Sequence, residues 1–121
     1  TYLQLESEDK MAQTYYVSLD AASAARIISD AVVEGSFTGE CLDSYSRSTS
    51  AGSCTVMVFE KHYYRVSNRL TLTVIIDDFE ERTKVHCVSG GGGQSILFNF
   101  DWGASGSFTT VVQKALAPYI V

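Results

Sequence analysis

A chain of 121 residues, 45% hydrophobic and 19% charged with a single proline, has the make-up of one globular domain and excludes a repetitive or wholly disordered chain. Its formal net charge of -5 and pI of about 4.8 repel phosphate backbones and anionic bilayers, so no nucleic acid and no membrane partner is expected. No apolar stretch reaches the roughly eighteen residues that cross a bilayer, and no signal peptide opens the chain, so the expected location is the cytoplasm.

Residues 1–12 are expected as a leader, disordered or appended, because Thr1 to Lys10 is polar without a period and Met11-Ala12-Gln13 looks like a translation start. A single domain is expected over 13–121. Tyr15 to Leu19 is rich in β-formers and ends at Asp20, a good helix N-cap. From Ala21 the residues Ala24, Ile27, Ile28, Ala31 and Val32 recur at helical spacing, with Gly35 placed for a left-handed C-cap.

Gly39 to Arg47 alternates loosely as a weak strand, and Ser48 to Ser53 is a cluster of small turn residues. Cys54 to His62 carries apolar residues on both faces, which predicts a central strand. Arg69 to Asp77 sets Leu70, Leu72, Val74 and Ile76 on one face, the pattern of a half-buried strand. The acidic turn Asp77 to Glu81 leads to a strand over Arg82 to Ser89, and after Gly90 to Gly93 a further strand is predicted over Ser95 to Asp101. Ser105 or Ser107 can cap a last helix whose stripe is Phe108, Val111, Val112, Ala115, Leu116 and Tyr119.

The predicted fold is α+β: strand, helix, about five antiparallel strands, helix, with both helices on one face of the sheet. A curved, helix-grip-like version would enclose a cavity against the last helix. The pattern fits a filled core and a hollow one alike.

Glu60-Lys61-His62-Tyr63-Tyr64-Arg65, followed by Arg69, is the densest run of polar chemistry: Arg65 or Arg69 can fork a carboxylate or phosphate, and Tyr63 and Tyr64 can wall an apolar ligand. A solvated strand end is the simpler reading. The glycines around Gly91 and Gly92 can nest an anion, yet a strand rather than a helix follows them, which favours a hairpin connection. Trp102, between the last strand and last helix, can staple the two or rim a pocket.

His62 and His86 are the only histidines, without HxH, HExxH or CxxC spacing, and His86 and Cys87 point to opposite faces of a strand. Cys41, Cys54 and Cys87, odd in number and widely spaced, form neither a zinc pattern nor a complete disulfide framework. No metal site, cofactor or catalytic residue is expected.

The segments Phe59 to Arg65, Val88 to Gly93 and Phe100 to Ala104, with the Phe108 helix, resemble a family of small bacterial proteins classed only as a domain of unknown function. The resemblance implies a bacterial, stand-alone intracellular domain and brings no activity with it.

Two functions compete nearly level. The first is non-enzymatic binding of a small amphipathic or anionic ligand between sheet and last helix by Glu60, His62, Tyr63, Tyr64, Arg65, Arg69, Gly91, Gly92 and Trp102. The second is a self-associating or partner-binding module, a homo-oligomer for instance, that uses an uncovered sheet face or edge. Well behind stands an acid/base enzyme using His62 or His86 with Glu60 or Asp101.

Overall fold

The computed structural model describes residues 12–34, 39–63, 68–91 and 101–121, with the backbone alone at 63, 68, 91 and 101–108. In chain order the elements are β1 (Ala12–Val17), α1 (Ala21–Glu34), β2 (Gly39–Thr49), β3 (Gly52–Tyr63), β4 (Asn68–Asp77), β5 (Thr83–Gly91) and α2 (Asp101–Leu116), closed by a 3-10 turn over Ala117–Tyr119. The five strands pair antiparallel in the order β1-β5-β4-β3-β2. The α+β architecture with two helices is therefore as predicted.

Asp20 starts α1 as its residue type dictates: the Ser23 N–H donates to Asp20 Oδ1 at 2.8 Å, and the Ala24 N–H donates to the Asp20 carbonyl at 3.0 Å. Hydrogen bonds from the Ser23 side chain, then its backbone, hold the Asp20 carboxyl below its ordinary value. Ala21, Ala24, Ile28 and Val32 are buried along one stripe, and Ile27 packs partly buried against them. The expected cap at Gly35 lies outside the described residues.

Both helices pack on the same face of the sheet. Their Ile28, Val32, Val112 and Leu116 join Phe59, Leu70, Leu72, Val74, Ile76 and Val85 in one core, each at most 1% exposed. The chain end is tied to β1, since the Ser18 N–H donates to the Tyr119 carbonyl at 2.9 Å and the Val121 N–H to the Tyr16 carbonyl at 3.0 Å.

The strand over Cys54 to His62 is β3, an inner strand as expected, with β4 in the middle place. Two expectations change. The turn expected over Ser48 to Ser53 shrinks to Ser50 and Ala51, because Ser48 and Thr49 pair with Ser53 and Gly52 in a long hairpin. Gly52 holds φ +147, and a Cβ there would meet Asp78 Oδ1 at 2.7 Å. Asp78 in turn accepts from the Ser53 N–H at 2.7 Å, which joins this hairpin to the β4–β5 turn.

The second change is at the last helix, which starts at Asp101 and so takes in the Asp101 to Ala104 stretch expected as a connection. Gly103, within that stretch, gives it the look of a bend, since a glycine in a helix interior costs about 1 kcal/mol, a preference too weak to decide the element by itself. Most of the strand predicted over Ser95 to Asp101 falls at 92–100, outside the described residues; Asp101 itself is helical.

Candidate functional site

Strand alternation divides this sheet into a face sealed by α1 and α2 and a face on which no described helix packs. The strand registers set out the second, open face row by row. One transverse row is Thr14, His86, Ile75, Val56 and Tyr45. Its neighbour is Ala12, Val88, Thr73, Val58 and Asp43. Together they form a band with an apolar centre: Val56, Val58 and Ile75 are half-buried, while Val88 is 38% and Tyr45 55% exposed.

Charged rows flank the band. On one side lie Tyr16, Lys84, Asp77, Cys54 and Arg47; on the other, Gly90, Thr71, Glu60 and Glu40. The Arg82 guanidinium sits over the Tyr16 ring, 3.9 Å from its centroid, and Arg47 Nη1 donates to the Tyr45 hydroxyl at 3.3 Å. Within the band, Thr14 Oγ1 and His86 Nδ1 are 2.8 Å apart.

Of the residues expected to bind a ligand, the structure brings three together. Arg69 Nη1 pairs with Glu60 Oε2 at 3.2 Å, and His62 lies opposite Arg69 on the adjacent strand. These three alternate with the buried Phe59 and Leu70, so they sit at the end of the open face, away from both helices. The backbone puts Tyr63 opposite Asn68, Gly91 opposite Leu70, and Trp102 in the first turn of α2. Tyr64, Arg65 and Gly92 lie outside the described residues. Between the sheet and the described part of α2, the space expected for a ligand is filled by Val112 and Leu116, both 0% exposed.

Over residues 11–120, nearly the whole chain, the sequence matches the family described as "Family of unknown function (DUF6054)". The chain belongs to this family. Comparison with curated proteins and with solved structures finds no match. The resemblance to a family of unknown function is thus confirmed, and DUF6054 membership assigns no residue a role.

Among the described residues no three His, Cys, Asp or Glu side chains gather to hold a metal ion. By strand spacing His86 stands more than about 10 Å from Glu60 and from His62, beyond the reach of proton transfer. Burial pushes the Cys87 thiol up to about 11, so it stays protonated and unreactive. A cleft of about 570 Å³ at the sheet end is lined by Ser18, Asp20, Asp78, Glu81, Arg82 and Val121, among others, with mixed charge.

Tyr45, Ile75 and Val88 were not among the expected site residues, whereas the strand of Val56 and Val58 stood out as apolar on both faces. Their signal was in the strands: β3 and β4 carry apolar side chains on the face opposite Phe59 and Leu72 as well. A strand that needs only one buried face has no use for those.

Proposed function

We propose that this domain is a non-enzymatic interaction module that engages a protein partner through the open face of its sheet. One observation carries the reading: both helices seal the same face, which leaves an apolar band of Val56, Val58, Ile75 and Val88 framed by charged rows. An apolar centre with a polar rim is the anatomy of an interface. The ligand reading has less behind it, because the Arg69 guanidinium that would anchor an anion is already paired with Glu60.

A photo-crosslinking amino acid at Ile75, introduced into the protein in the cells that make it, tests the module. The expected result is a discrete adduct that is missing when the same group replaces Glu34, exposed at the end of α1. Equal or absent adducts at the two positions overturn it.

A further inference from the structure

We infer that the partner on the open face is a second copy of this chain, stacked sheet on sheet about a two-fold axis that crosses the strands. The inference rests on the interaction-module reading and names the occupant of the same surface.

Charge selects both the occupant and the axis. Two identical sheets can face each other about an axis across the strands or about one along them. An axis across the strands reverses the row order and keeps each strand over its own copy. Arg47 then lies over the second copy's Glu40 at both ends of β2, and Val56 over Val58 at the centre. The central rows meet as Ile75 on Thr73 and His86 on Val88, with the carboxylate of that band, Asp43, at the β2 edge over the second copy's Tyr45. An axis along the strands keeps the rows and reverses the strand order. β4 is the middle strand, so Asp77 would meet the second copy's Asp77, two like charges face to face.

The size of the surface agrees. Five strands at ~4.8 Å by the nine residues of β4 from Arg69 to Asp77 make a face of roughly 24 by 27 Å. That is ~600 Å² per copy before side-chain relief and ~1,200 Å² in all, at the lower edge of stable specific interfaces. An interface of this size does not by itself fix the affinity, which packing and charge complementarity set. The exposed row of β2 beside the bulge at Cys41 and Asp43 supplies its charged rim.

Sedimentation equilibrium of the full chain from about 1 µM to 1 mM reads the dimer directly. Val56→Lys puts a charge at the centre and is expected to weaken it at least about 100-fold. Arg47→Glu and Glu40→Arg, on fully solvated edge positions that folding does not need, are each expected to weaken it about tenfold, and the double charge swap to return it to within about threefold of the parent. Alkylation of Cys54 in a Cys41→Ser background should slow as concentration rises through the dissociation constant.

A monomer at every concentration overturns the second copy, as does a dimer indifferent to Val56→Lys. A dimer that both single swaps weaken and the double swap leaves weak overturns the axis. A monomer that still gives a discrete adduct to another protein at Ile75 overturns this inference and leaves the module standing; no adduct at all removes both.

Discussion

The two faces of β4 share one backbone and one hydrogen-bond ladder, yet they live in different media. Leu70, Leu72, Val74 and Ile76 are 0% exposed beneath the helices, whereas Thr71, Thr73, Ile75 and Asp77 on the reverse side, where no described helix packs, are half-buried. Residue type differs less between the faces than burial does, since Ile75 is as apolar as Ile76. What separates them is which side α1 and α2 occupy, and that decides which side chains hold the fold and which remain for a partner.

The sharpest way to break this contrast is to truncate one residue on each face of β3. Phe59→Ala empties a fully buried site and is expected to cost about 3–5 kcal/mol in urea unfolding. Val58→Ala on the open face should cost under about 1 kcal/mol in dilute, monomeric protein. Equal losses would mean that the open face is sealed.

Next in size is the turn that aligns the sheet. Gly52→Ala is expected to lose about 2–4 kcal/mol, because φ +147 and the Asp78 and Phe79 side chains at 2.7 and 2.8 Å both oppose a Cβ. Gly90→Ala, with only Thr71 Oγ1 at 3.8 Å, should shift the urea midpoint little.

Alkaline pH acts on the sealed face through Cys87 and Tyr15. The Cys87 pKa is raised by burial from 9.0 to about 11, so the stability of its neutral thiol is fully present below pH 9.0 and is lost as pH rises through about 11. The loss is at most about 2–3 kcal/mol for a shift of this size. Tyr15, raised by burial and then by the Cys87 charge to about 12, extends the decline. In Cys87→Ala the slope of stability between pH 9 and 11 should flatten.

The smallest effect belongs to the Asp20 cap. Its carboxyl is held below the ordinary 3.8, so its contribution is complete above that value and disappears as pH falls through the lowered one. Asp20→Ala should lower the melting temperature by a few degrees at pH 7 and by less at pH 2, where the carboxylate is already protonated.

Local features were legible where one interaction dominates. The cap at Asp20, the stripe of α1 and the alternation of β4 each follow from spacing within a few residues, and each is found where spacing puts it. The start of α2 was not, because Gly103 and Gly106 in its first two turns weaken the local preference for a helix. Glu60, His62 and Arg69 are neighbours on paired strands, as their spacing allows, but their side of the sheet depends on where the helices land.

The sequence by itself determined the element types, the α+β class and the apolar alternation of each strand, since these rest on periodicity and on caps within reach of a single turn. It also carried, unassigned, a second set of apolar residues in β3 and β4. Only the tertiary structure decided that both helices cover the same face and that β4 takes the middle place, which sets Arg47 and Glu40 at opposite ends of one surface. The reason is that strand order and helix placement are set by long-range packing, in which residues far apart in the chain compete for one buried side of a sheet.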